Sequence, residues 1–259
     1  MSVLAASATA APSRAASSYW RATRESRYSL IFALPLLLLY EGMAALLPVR
    51  ETRGVRNGAD VMLKSLFSLV AGRHGPLLFE IVLIGACVWL VRRNLKAHGG
   101  LHAMRGRIFL GMSVESIVLA LVFGFVVGTI TARVLGVFGA ASMAPMQSLD
   151  RTTRLMVSLG AGLYEELLFR VLLVTALALL ARRVFHWRPA AAGAFATIIG
   201  ALLFSSAHYV GALGDQFTLE SFVFRAISGV FFSAIYLWRG FGIDAWTHAL
   251  YDVFIVVAS

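Results

Sequence analysis

Two adjacent carboxylates, Glu165 and Glu166, and an arginine, Arg170, stand in a run that is otherwise apolar from Leu155 to Leu180. Ionisable groups inside a membrane-length apolar segment are costly and mark function by default. Glu166 and Arg170 are four apart, so on a helix they share a face and neutralise each other. Glu165 points about 100° away and is left facing the interior. A carboxylate there suits a general base or acid. Two more pairs repeat the spacing: Phe204 with His208, and His248 with Asp252. His208 is placed to share a water with Glu165. His248, oriented by Asp252, is placed to donate to a developing oxyanion. Glu165, His208 and His248 are equally a ligand set for a divalent metal such as zinc, with an open position for water.

These groups need a scaffold, and the composition supplies a membrane one. Of the 259 residues 59% are hydrophobic and 14% charged, and mean hydropathy is +0.80. An average globular protein carries roughly 25% charged residues. The apolar residues fall into runs at about 28–47, 77–91, 108–130, 155–181, 190–209, 222–238 and 243–259. Each is long enough, or nearly so, to cross a bilayer. The expected fold is all-α and polytopic, with about seven or eight transmembrane helices and a bundle-like or conical catalytic core. Residues 134–144, short and Gly-rich, read as a connector or a half-span, the source of the eighth. Residues 60–70 read as an interfacial amphipathic helix. Three regions are expected: a flexible basic tail at 1–27, N-terminal helices and loops at 28–148, and the catalytic core at 149–259.

The net charge of +10 sits at the ends of apolar runs, as topogenic arginines do, with a bias that places the N-terminus inside. Nucleic acid is therefore not an expected partner; the lipid bilayer is. Cys87 is the only cysteine, so no intrachain disulfide and no cysteine metal cluster can form. Glu41, Glu80 and Glu115 lie near run ends and read as interfacial snorkelling groups. Gly124 and Gly128 have the small-xxx-small spacing of closely packed membrane helices.

Glu165-Glu166-x-x-x-Arg170, then Phe204-x-x-x-His208, then His248-x-x-x-Asp252, in this order on separate apolar helices, resembles the motif set of the CaaX-protease and bacteriocin-processing (CPBP, or Abi) intramembrane endopeptidases. The resemblance covers roughly residues 149–259. It implies hydrolysis of a peptide bond in a membrane-associated, in some members lipidated, protein or peptide. It implies Glu165 as the activator of water, assisted by His208, with His248 and Asp252 at the oxyanion and Glu166, Arg170 and Phe204 in support. It implies no required cofactor. Relatives that cleave prenylated proteins typically have Asn where this chain has Asp252, and an ionised Asp cannot donate a hydrogen bond. The implied location is a bacterial cytoplasmic (inner) membrane. A proton- or ion-coupled transporter using a Glu–His relay, and a non-catalytic membrane scaffold, are the alternatives. No inverted repeat supports the first.

Overall fold

The computed structural model describes residues 19–47, 54–136, 149–211 and 214–259. The tail up to residue 18, and most of the 134–144 connector, fall outside the described residues. Among the described residues six apolar stretches are long enough to cross a membrane: Ser26–Leu46, Gly58–Ala97, Gly106–Leu135, Pro189–Ala207, Leu219–Arg239 and Phe241–Ala258. Among the described residues every regular element is helical. The chain is an all-α, polytopic membrane protein.

Helix α1 (Ser26–Leu46) runs through Pro35. The stretch Gly58–Ala97 is not one rod. Helix α2 (Gly58–Ala71) ends where Gly72 takes φ +54°, and after the 3₁₀ turn Gly72–His74 the chain returns as α3 (Gly75–Ala97). The two lie side by side, with Phe67 against Phe79 at 5.4 Å and Lys64 Nζ on Glu80 at 2.8 Å. A helix of α2's length spans about 21 Å, short of a hydrocarbon core of roughly 30 Å. Its apolar residues Val61, Met62, Leu66, Leu69 and Val70 are exposed, and its other face turns inward. Ala59, Asp60 and Leu63 are buried, and α2 enters the bundle because its polar residues find partners there.

Helix α4 (Gly106–Leu135) follows. Then α5 (Arg151–Gly160), a π-helical segment (Ala161–Val174) and α6 (Thr175–Arg183) join without a break, all their junction residues being helical. This rod is long enough to be a seventh crossing. Asp150 starts it, its side chain accepting from the Thr153 N–H at 3.0 Å. The bundle is completed by α7 (Pro189–Ala207), α8 (Leu219–Arg239) and α9 (Phe241–Ala258).

Helix α9 is the centre. It packs against α1, α4, α8 and the rod, and half of its apolar window is buried, more than in any other candidate span. Two apolar clusters surround it, one around Tyr40, Met156, Leu163 and Tyr164 and one around Phe32, Phe123, Phe232 and Ile243. Trp246 of α9 joins them, its indole N–H donating to the Phe32 carbonyl at 2.6 Å. The end of the stretch read as a tail also packs on the bundle: Tyr19 donates to Glu115 and Trp20 stacks on Trp238. Of the glycine pair on α4, Gly124 faces Tyr251 of α9, whereas Gly128 faces open space. The outer surface carries the apolar side chains, Leu38, Phe125 and Val134 among them.

Candidate active site

The rod changes its winding where the carboxylates lie. Over Ala161–Val174 it is π-helical, with i→i+5 bonds and wider turns, a form frequent at functional sites. Gly162 lets this segment approach α9 closely: a Cβ there would meet the Ala245 carbonyl at 2.3 Å and the Ala249 N at 2.7 Å. That proximity brings the rod's carboxylates against His248.

Glu166 is fully buried and holds two partners. Oε2 meets Arg170 Nε at 3.0 Å, and Oε1 meets His248 Nδ1 at 2.6 Å. The pairing with Arg170 is the one the spacing suggests. The histidine is additional, so Glu166 is shared rather than reserved for the arginine. A bond this short to a carboxylate assigns the proton to Nδ1. Nε2 is then directed to Glu165 Oε2 at 4.0 Å and Asp252 Oδ2 at 3.7 Å. Phe232 stacks on the imidazole, 4.3 Å between centroids. The Arg170 guanidinium lies over Phe204 at 4.3 Å and Phe232 at 5.4 Å. Its remaining positive face therefore rests on π-clouds, an attraction that strengthens on desolvation. The buried carboxylate of Asp244, which sequence reasoning passed over, also neighbours Glu166.

His208 caps α7. Its Nδ1 lies 2.9 Å from the Phe204 carbonyl, which makes Nδ1 the donor and turns Nε2 toward Glu165 Oε2 at 3.9 Å. Phe204 braces the ring, 4.9 Å away and edge-on. The two histidines, from α7 and α9, thus direct Nε2 at the same oxygen of Glu165. Neither distance is a hydrogen bond; each is a separation that a bridging water spans. Residues from three separate apolar runs thus meet at one level. Arg225 nearby pairs with Asp215 and with Ser221 Oγ.

The other oxygen of Glu165 is held from the N-terminal half. Asn57, just before α2, donates from Nδ2 to Glu165 Oε1 at 2.8 Å. Sequence reasoning missed Asn57. The available signal was its place in Asn57-Gly58-Ala59-Asp60, a helix N-cap pattern before an apolar run.

Beneath Asn57 lies an ion cage. Lys64 Nζ sits 3.1 Å from Glu41, 2.7 Å from Asp60 and 2.8 Å from Glu80. Arg56 adds contacts to Glu41 at 3.1 Å and Asp60 at 3.0 Å. Tyr164 and Tyr40 donate to Glu41 and Asp60, each at 2.8 Å. Glu41 and Glu80 are therefore not snorkelling to the interface. Nor is Glu115, which pairs with Arg239, Nη2 to Oε2 at 2.7 Å. In each case a cation on another helix meets the inward-turned carboxylate.

The carboxylates of Glu41, Asp60 and Glu80 are near enough to one another to hold a cation, but the Lys64 ammonium already lies among them. The expected ligand set fits a metal poorly. Glu165 Oε2 lies 3.9 and 4.0 Å from the two histidine Nε2 atoms, but the three donor atoms do not all come within 4.8 Å of one another, and zinc at about 2.0–2.1 Å from each needs all three that close.

Residues 149–254 match the family model described as type II CAAX prenyl endopeptidase Rce1-like. The match spans all three motifs and stops short of Asn57, α2 and the ion cage. No curated protein and no solved structure matches the chain.

Proposed function

We propose that this multi-pass membrane protein, whose residues 149–254 carry the Rce1-like match, is an intramembrane endopeptidase. Its substrate is a membrane-associated protein or peptide, reached from the bilayer. The supporting observation is the convergence of two histidine Nε2 atoms, 3.9 and 4.0 Å away, on one oxygen of Glu165.

A water between Glu165 Oε2 and His208 gives its proton to the carboxylate as its oxygen bonds to the peptide carbonyl carbon. General-base help of this kind is worth about 10²–10⁴ in rate. The carbonyl oxygen gathers negative charge. His248 keeps Nδ1–H on Glu166, so Nε2 donates only as the imidazolium, whose charge Glu166 and Asp252 offset. It stabilises the oxyanion. The carbon–nitrogen bond then breaks, and the proton held by Glu165 passes to the departing amine. Asp252, 3.7 Å from Nε2, offsets the imidazolium charge in this scheme, a role open to aspartate although it lacks asparagine's donor. The supporting groups, Arg170 and Phe204, keep Glu166 charged and the ring planes fixed. The proposal includes residence in a bacterial cytoplasmic membrane with the N-terminus inside, following the loop arginines.

Comparison of membrane-peptide termini between wild-type and Glu165→Ala cells tests the reading. A set of cleaved termini present only in the wild type is expected and would name the substrate. Identical termini in both would remove the proposal. Cleavage by the purified protein is expected to persist in excess chelator, because none of the proposed steps needs a metal.

A further inference from the structure

Asn57 reaches Glu165 across 108 residues of sequence, from outside the family-matched region. It is 2% exposed, so water does not compete for its amide. The amide can face only one way. Oδ1 accepts from the N–H of Ala59 at 2.9 Å and of Asp60 at 3.4 Å, as the N-cap of α2. The Asn57 N–H donates to the Tyr40 hydroxyl at 3.1 Å, and that hydroxyl donates to Asp60. With Oδ1 committed to helix-terminal donors, a flip would set a carbonyl against a carboxylate and an NH₂ against two N–H groups. Nδ2 is left for Glu165.

A carboxylate's last torsion is broad and roughly two-fold. A free Glu165 would exchange its oxygens and lose aim. We propose that Asn57 is a positioning residue for Glu165: by holding Oε1 it presents Oε2, the oxygen that both histidines face, to the attacking water. The inference rests on the reading of Glu165 as the base. The ion cage has a part in it. Lys64 and Arg56 bind Asp60, Glu41 and Glu80, which fixes the N-terminus of α2 against α1 and α3 and sets the height at which Asn57 stands.

The test separates capping from positioning. Ser and Asp cap helices about as well as Asn, but neither offers the amide donor. Purified Asn57→Ser protein is expected to melt like the wild type, whereas Asn57→Asp, which sets a second carboxylate against Glu165, is expected to melt lower at neutral pH. Their kcat should fall on the order of 10–100-fold, the scale of a lost alignment, with KM unchanged. The deficit of Asn57→Asp, relative to wild type at the same pH, should shrink as pH falls. The carboxyl introduced by Asn57→Asp regains a donor once it is protonated, while its carbonyl oxygen still caps; Asn57→Ser should show no such recovery. Wild-type kcat in both variants overturns the inference, as does an equal deficit at every pH in both. Glu165→Gln in the same assay distinguishes the two levels. If it is inactive while Asn57→Ser is fully active, only the positioning role fails; if it is fully active, the base assignment fails and takes the positioning role with it.

Discussion

Glu166 is the residue whose burial has to be explained first. A carboxylate with no exposure survives in an apolar bundle because Arg170 neutralises it and His248 donates to it. Removing one member of such a pair leaves an uncompensated buried charge, at a cost of about 3–5 kcal/mol. Arg170→Met should therefore lower stability by that amount in detergent unfolding, whereas the double variant Arg170→Met, Glu166→Gln should recover part of it. The Glu166–Arg170 pair was legible in the sequence, because i,i+4 spacing is local. The third partner was not, since His248 arrives from a helix 82 residues later. The same blindness misplaced Glu41, Glu80 and Glu115. Sequence position gives depth along a helix but not the cation opposite, and Lys64 and Arg239 decided where those acids point.

At the scale of elements, the winding and closeness of the rod are what bring the motifs together. Seven apolar runs were readable from hydropathy alone, and all seven are helical. Periodicity could not show that the Glu165 segment is π-helical, because residues four apart still share a face in either winding. Nor could it show that the polar residues of α2 have partners inside, so the helix read as interfacial. Gly162 sits where the rod meets α9, and Gly162→Ala must push its Cβ against the Ala245 carbonyl. Overpacking of this kind costs about 1–3 kcal/mol, and the expected result is a lower melting temperature together with lost cleavage, as His248 is carried away from Glu166. At the rod's start, hydrogen bonds from the Thr153 hydroxyl and N–H hold Asp150 below the usual aspartate range. A folded-state value below the unfolded one adds stability that is present above the ordinary aspartate pKa and lost as pH falls through the folded value. Asp150→Ala should cost about 1 kcal/mol at neutral pH, and the difference from wild type should shrink in acid.

The molecule as a whole is inverted in polarity. Apolar side chains face outward, while Asp60, Glu166, Arg170, Arg239 and Asp244 are buried. The bilayer replaces water as the outer solvent, and the interior becomes the only place where charges can pair. The interior charges form one layer of candidate catalytic groups from the C-terminal half and one of ion pairs from the N-terminal half, joined at Asn57. The first layer was visible as motifs. The second was not: Arg56, Asp60 and Lys64 repeat the four-residue spacing, but Glu41 and Glu80 reach them from α1 and α3. Lys64→Met should lower stability by about 3 kcal/mol, as the cage acids lose their shared cation. It should also reduce kcat by releasing α2, with pairwise replacement of Lys64 and Glu80 by Met and Gln restoring more of both than either change alone.

The central claim is that Glu165 activates the water that cleaves the peptide bond. Single-turnover cleavage of a substrate named by the peptide-terminus comparison, measured with wild-type and Glu165→Gln protein in liposomes, addresses it most directly. Glutamine keeps the size of the side chain and its hydrogen-bonding oxygen but cannot take a proton. The expected result is a rate reduced by about 10²–10⁴ with an unchanged melting temperature. A wild-type rate in the folded Glu165→Gln protein would contradict it.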